Sequence, residues 1–404
     1  MEETLILAGR IFDGVADAPL ENAYVVVGDG RIRGVGPRSE LAVNLDRFAH
    51  VLELAPDSTL LPGLINMHVH MSFSSGPDVM GDHLRESEQT RTLRAVENLK
   101  MALATGVTTV RDCATCNPVA FAVRAAVESG IMRGPRVIAA GEGITSTGGH
   151  CWFCSTEADS EVEVRKAVRA QAKAGADFIK LFSTGGNTTP GTNALAAQFS
   201  EAEMCAATEE ARRLGLRTAS HAHGTPGVRN SIAARVTTIE HCSFLEPDGM
   251  HYDAEQVQII ADEGIYVCPT LFRAGTKGLD AADPGLSEAQ QALFRTQKMR
   301  AELVSRLAGQ GVKIISGTDA GVAHNTFADY PGDLALSVEA AGLSPLYVLK
   351  SATSVAAEAL GLPELGHIAE GKAADLLAVQ GNPLEDIHAL EQPRMVMARG
   401  RLVT

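Results

Sequence analysis

Aromatic residues are scarce in this 404-residue chain, at 4% with a single tryptophan. A pocket is therefore expected to be built from aliphatic side chains, backbone and a few polar groups. No run of about twenty apolar residues is present, so no membrane-spanning helix is expected. Basic residues are in deficit, 35 Lys and Arg against 49 Asp and Glu, for a net charge of −14. Nucleic-acid binding needs the opposite balance, so no nucleic-acid partner is expected. The Met1-Glu2-Glu3-Thr4 start carries acids where an export signal carries positive charge and an apolar core, which makes cytoplasmic localisation the expectation. Seven cysteines, an odd number, then argue against a disulfide framework.

What the chain does have is 45% hydrophobic residues, enough for one large domain or for one large and one small. Residues 4–8, 23–27 and 31–35 read as short strands, the last two joined by the hairpin residues Gly28-Asp29-Gly30. From about 59 to 360 apolar runs alternate with amphipathic helices. Strands are expected at 60–70, 106–112, 135–142, 178–183, 217–223, 237–241, 265–271 and 312–319. Ser160-x-x-Glu163 and Ser200-x-x-Glu203 read as capping boxes, and Ser344-Pro345 as an N-cap. Gly130, Gly175, Gly215 and Gly361 mark helix ends. Eight alternating strands predict an α/β fold, a (β/α)8 TIM-like barrel over 59–360. Strand texture returns at 374–379 and 394–398, so a small β-sandwich domain built from both termini, 1–58 plus 361–404, is expected beside it.

Active sites of such barrels sit at the C-terminal ends of the strands. His68 and His70 end the first; i and i+2 share a face in a strand, so both imidazoles can meet one metal ion. Alone, His-x-His is a weak signal. Other strand ends supply His150 after Thr147-Gly148-Gly149, Lys180, His221 and His223, His241, and Asp319. Taken singly, His221 and His241 read better as satisfied core histidines, and Asp319 also reads as a helix N-cap. A buried Lys180 would need a partner. His68, His70 and four more candidate ligands among these strand ends of one barrel make the metal reading the coherent one.

These residues, in Pro62-Gly63-Leu64-Ile65-Asn66-Met67-His68-Val69-His70, Gly106–Asp112, Ile179-Lys180, His221-Ala222-His223-Gly224, Ile239-Glu240-His241, Gly317-Thr318-Asp319 and Gly371–Leu377, resemble the amidohydrolase superfamily over nearly the whole chain. The resemblance implies two zinc ions or another divalent metal. His68, His70 and Asp319 would hold one, His221 and His241 the other, and a Lys180 carboxylated by CO2 would bridge them. It further implies attack on an amide-type carbonyl by a metal-bridging hydroxide. Asp319 would move the proton and His150 would donate to the developing oxyanion. Deaminases of the superfamily carry a glutamate where this chain has Gly224, and lack the lysine. A non-catalytic scaffold would not retain all six ligand positions.

The likeness is greatest to a prolidase-like branch, related to imidazolonepropionase, that contains dipeptidases and some amide or carbamate hydrolases. It implies a small-molecule amide substrate, a dipeptide or N-acyl amino acid, and a homo-oligomer. Dipeptidases of this branch tend to have tyrosine where His223 stands. A protonated His223 could take over the substrate carboxylate, with Arg111 or Arg273 as supplements. The departure keeps a non-peptide amide, urea or carbamate open as the alternative. Trp152, with Phe153, is expected at the pocket rim. Cys113, Cys116, Cys151 and Cys154 read as partly buried thiols, with a four-cysteine metal site as the second reading.

Overall fold

Gly63 divides what the sequence pattern reads as one strand. In the computed structural model, which describes residues 3–41, 45–273, 276, 278–279, 281–283 and 285–403, the 60–70 run is two strands, Ser58–Pro62 and Leu64–Val69. The first pairs antiparallel with Leu376–Gln380 and parallel with the end of Thr4–Ile11. The second runs parallel to Val107–Asp112. At the switch, Gly63 N–H donates to the Asp375 carbonyl at 2.8 Å. A Cβ at Gly63 would lie 2.2 Å from Thr108 Oγ1, so the crossing admits glycine alone.

The sheet built from both chain ends runs in the order Arg401–Leu402, Pro393–Ala398, Leu376–Gln380, Ser58–Pro62, Thr4–Ile11, Leu20–Gly28, Arg31–Pro37, with His50–Glu53 also beside Thr4–Ile11. Residues 59–62, grouped with the larger segment by their pattern, thus hydrogen-bond in the terminal sheet. Asp29 and Gly30 take φ of 53° and 73°, the left-handed turn expected of that hairpin. Side chains alternate along Thr4–Ile11. Ile6 and Ala8 pack with Val25, Val27, Ile32 and Leu376, while Leu5 and Leu7 pack with Val26 and Phe48 on the other face.

The rest is mixed α/β. Leu64–Val69, Val107–Asp112 and Arg136–Ala139 form one parallel sheet. Phe178–Phe182, Arg217–Gly224, Thr238–Glu246 and Tyr266–Cys268 are parallel neighbours in another, consistent with a barrel. Residues 312–320 stand between the two sheets through single parallel bridges, Ile314 to Val267 and Ala320 to Val69. On the other side, Asp177 N–H donates to the Ala139 carbonyl at 2.9 Å. The strand expected at 312–319 is therefore extended chain without a continuous ladder. A Cβ on its Gly317 would come within 2.7 Å of the His68 nitrogen. On the outside, Leu64, Val107, Val110 and Val137 pack against Leu99, Leu103, Val119 and Val123 of the covering helices.

The Ser200 capping box is complete. Ser160 caps its helix, but the Glu163 carboxylate accepts instead from Asp159 N–H, one residue outside the cap. An unforeseen Ser287–Gln290 box heads the longest helix, Glu288–Gly309. Between Glu161–Ala174 and Glu201–Arg213, Glu210 accepts from Arg169 and Arg213 at 2.7 and 2.8 Å. These arginines pull its carboxyl down to about 2. Among the described residues, no helix is long and apolar enough to cross a membrane.

Candidate active site

Four histidines converge where the parallel strands end, and each is oriented by what holds its outward nitrogen. His68 Nδ1–H donates to Glu240 at 2.8 Å, His70 Nδ1–H to the Ala114 carbonyl at 3.4 Å, and His221 Nε2–H to the Gly185 carbonyl at 3.2 Å. His241 Nδ1 lies 2.6 Å from Thr270 Oγ1. The remaining nitrogens face inward as two sets. His68 Nε2 and His70 Nε2 stand 3.3 and 3.2 Å from the same Asp319 oxygen, and His221 Nδ1 stands 2.9 Å from His241 Nε2. Outer partners of this kind are what fix tautomer and ring direction in metal-ligating histidines.

The backbone strains to present these groups. His241, Thr270 and Asp319 take φ of 67°, 47° and 64°, left-handed values that cost energy for residues with a Cβ and cluster at functional sites. Burial lowers His68 to about 4, helped by the Lys180 charge, and drives His221 and His241 well below the ordinary histidine value. These three rings are neutral at pH 7, the state that binds metal. Burial is the largest influence on His70 and opposes its charge, but the hydrogen bond to Asp319, the Asp319 charge and Cys151 together overcome it and raise it.

Beneath the floor lies a pair of which the sequence offers only Arg111, as a supplement for the substrate carboxylate. Glu240 accepts from His68 and, through its other oxygen, from Arg111 Nη2 at 2.6 Å. Burial alone would raise the Glu240 carboxyl; the Arg111 charge and His68 hold it below the carboxylate range. Arg111 also donates to the Met67 carbonyl and to Thr238 Oγ1. It is spent inside the fold and does not line the cavity.

Lys180 is 1% exposed and its Nζ has no hydrogen-bond partner among the described residues. A buried ammonium without a partner is costly, so this position calls for an anion or for loss of the charge. Ligand atoms of His68, His70 and Asp319 lie within 4.8 Å of one another, as do those of His221, His223 and His241, and of His68, Glu240 and Cys268. The His223 ring stacks on His241, 4.3 Å away at 19°, with Nδ1 3.0 Å from Ser243 Oγ. Near-parallel planes aim their lone pairs along separate lines, so His223 packs against a ligand position. Burial, then the Arg300 charge, lowers it to about 3. A protonated His223 as carboxylate anchor does not match that environment.

A cavity of about 300 Å³ opens over the histidines, walled by Val79, Met80, Phe272, Val322 and Ala323. His150 lines it, its ring 4.5 Å from His221 and its buried Nδ1 without a hydrogen-bond partner among the described residues. The arginine in the lining is Arg300, from the Glu288–Gly309 helix. Three hydrogen bonds run from its Nη2 to the Pro269 and Thr270 carbonyls and Thr270 Oγ1. Arg273 lies outside this cavity, in a separate one of about 240 Å³, with its guanidinium 4.0 Å from Glu339. Trp152 is also outside the lining and 39% exposed, its place at the wall taken by Cys151. Asn187 and Thr188 reach the lining, whereas His324 and Asn325 face the other cavity. Of the residues that follow Phe272 and Arg273, 274–275, 277, 280 and 284 lie outside the described residues.

The four cysteines of the two C-x-x-C pairs are not brought together as a tetrad. None of them belongs to a ligand group of the kind above among the described residues. Cys113 faces the Met67 carbonyl and Cys116 faces His83, while Cys154 Sγ faces the Cys151 carbonyl.

Residues 59–403 match the family model described as the amidohydrolase family. Ochratoxinase of Aspergillus niger is 28% identical, covering 97% of this chain and 84% of its own. A crystal structure of a Xaa-Pro dipeptidase with methionine bound in its active site is 30% identical over the full length of both chains, with a TM-score of 0.86. A prolidase crystallised with N-methylphosphonate-L-proline is 28% identical over 99% of both, with a TM-score of 0.85.

Proposed function

The chain belongs to the amidohydrolase family, and on that premise we propose that it hydrolyses the amide bond of an N-acyl amino acid or dipeptide, with Arg300 receiving the free carboxylate. It is a hydrolase acting on carbon–nitrogen bonds. The observation that carries the finer reading is Arg300, the arginine of a cavity lined also by Asp78, Asp319 and the neutral rings of His221, His223 and His241. Such a cation calls for an anionic ligand. Methionine and the proline phosphonate, seen in the two similar structures, both carry a carboxylate.

In this reading the strands of the two parallel sheets and residues 312–320 make one (β/α)8 barrel over 59–360. A small β-sandwich of 1–58 and 361–404 borrows residues 59–62. Two metal ions, zinc by preference, fit the donor sets. His68, His70 and Asp319 would hold one and His221 and His241 the other. The orphaned Lys180 Nζ fits a carboxylated lysine serving both. Such ions, when bound, polarise the carbonyl and lower the pKa of water. Asp319, kept ionised despite burial by His68 and His70, takes the proton of the attacking water and passes it to the leaving nitrogen. His150 donates to the carbonyl oxygen as charge builds there. The aliphatic wall excludes bulk water.

A second reading, an uncharged amide, urea or carbamate, rests on His223, a neutral ring where dipeptidases have tyrosine. Cytoplasmic location and a homo-oligomeric state are included in what we propose, on composition and on the resemblance respectively. The test is hydrolysis of N-acyl amino acids and Xaa-Pro dipeptides against their carboxyl-blocked amides and against aryl carbamates, with Lys180→Ala as background. Turnover that needs the free carboxylate supports the first reading. Turnover of the uncharged compounds alone replaces it with the second.

A further inference from the structure

Cys151 and Cys154 take no part in the chemistry above, yet they stand at its edge. Cys154 N–H donates to the Cys151 carbonyl at 3.0 Å across the short 3-10 turn Trp152–Cys154. A turn closed by that bond holds its end Cα atoms within about 7 Å, and disulfides span about 4.4–6.8 Å between Cα atoms. Cys154 Sγ–H donates to the Cys151 carbonyl at 3.5 Å, so the second thiol is turned back toward the first residue. Cys151 lines the catalytic cavity, so a small oxidant that enters the cavity meets it first. Cys154 lies behind it, among Phe73, Val79, Ala114 and Phe182. No other cysteine combines a thiol neighbour one turn away with a place in that lining.

We propose that Cys151 and Cys154 are a peroxide-oxidisable pair whose disulfide shuts the enzyme off by displacing His150. The chemistry balances with hydrogen peroxide as the oxidant. Cys151 sulfur attacks the O–O bond to give a sulfenic acid and one water. Cys154 sulfur then displaces the sulfenic oxygen as a second water and forms the S–S bond. Two thiols lose two electrons and two protons, and the peroxide accepts both. The bond draws the sulfurs to about 2.05 Å, which turns the Cys151 side chain away from the cavity. Cys151 sits at φ 54° with its N–H on Thr189 Oγ1 at 2.8 Å. The neighbouring His150 N–H is on Gln198 Oε1 at 2.7 Å. With so few free torsions, the pull passes to His150, and a shift of about 1 Å at such a residue costs about 100-fold in rate.

The test treats the metal-loaded enzyme with hydrogen peroxide and reads intact mass, the disulfide map of proteolytic fragments, and amide hydrolysis. The expected result is loss of two hydrogens, a Cys151–Cys154 fragment, and an activity loss of about tenfold or more that dithiothreitol reverses. Cys154→Ser should show neither the disulfide nor the reversible loss, while Cys116→Ser should show both. Mass and mapping need neither a variant nor a substrate, so they stand apart from the proposed activity. A bond to Cys116, no bond at all, or an equal reversible loss in Cys154→Ser overturns the proposal.

Discussion

Glu240 holds His68 by its Nδ1–H at 2.8 Å and thereby decides which nitrogen His68 offers to the cavity. The same carboxylate neutralises Arg111 in the floor, so one buried anion serves orientation and charge balance together. Glu240→Gln keeps the shape and removes the charge. Metal affinity should fall about 10–100-fold, as for other partners behind a ligand. Arg111, left buried and uncompensated, should cost about 3–5 kcal/mol. Chelator competition and denaturant unfolding check the two effects separately, and an unchanged metal affinity would make Glu240 purely structural.

Lys180 gives a prediction of opposite sign for stability and activity. Lys180→Met should be inactive, since the carboxylated lysine we propose could not form. In the metal-free protein it should be more stable than wild type by about 1–3 kcal/mol, because an unpartnered polar atom leaves the interior. Thermal or urea unfolding of both metal-free proteins decides it. Loss of stability would mean that the amine is already satisfied.

Arg300→Gln should raise KM for carboxylate-bearing substrates. Their kcat/KM should fall about 30-fold or more, the lower end for truncating one member of a buried charge pair. Carboxyl-blocked analogues should be turned over as by wild type. Equal losses on both classes would assign Arg300 to supporting the Thr270 turn, to which it also donates.

Away from the site, Glu210 sets an acid limit. Its carboxyl is at about 2 in the fold against an ordinary 4.5. The unfolded chain therefore binds the extra proton between those values, and stability falls with falling pH in that window. The contribution is fully present above pH 4.5 and is gone below about 2. Glu210→Gln should flatten the pH dependence of unfolding there and leave it unchanged near neutrality. A parallel curve would show that Arg169 and Arg213 do not act through this carboxylate.

The inward nitrogens of His68, His70, His221 and His241 were legible because period-two alternation ends each apolar run in a polar group. Arg300 was not, since an arginine among Lys298 and Met299 on an amphipathic helix reads as solvent-facing. Glu240 stood inside a recognised motif, yet its role depends on His68 and Arg111, which lie 172 and 129 residues away. Arg273 and Trp152 were inferred from loop proximity, and proximity in a loop does not set direction. The break at Gly63 was hidden because both halves of that run are buried, so periodicity sees one strand where two sheets share a chain.

That break has a consequence for biosynthesis. Ser58–Pro62 emerges from the ribosome early, but its antiparallel neighbour Leu376–Gln380 is made more than 300 residues later. Until then an apolar strand edge waits unpaired, the kind of edge that recruits other chains. Nascent chains cut short before residue 376 should therefore engage chaperones or aggregate, however complete their metal ligands.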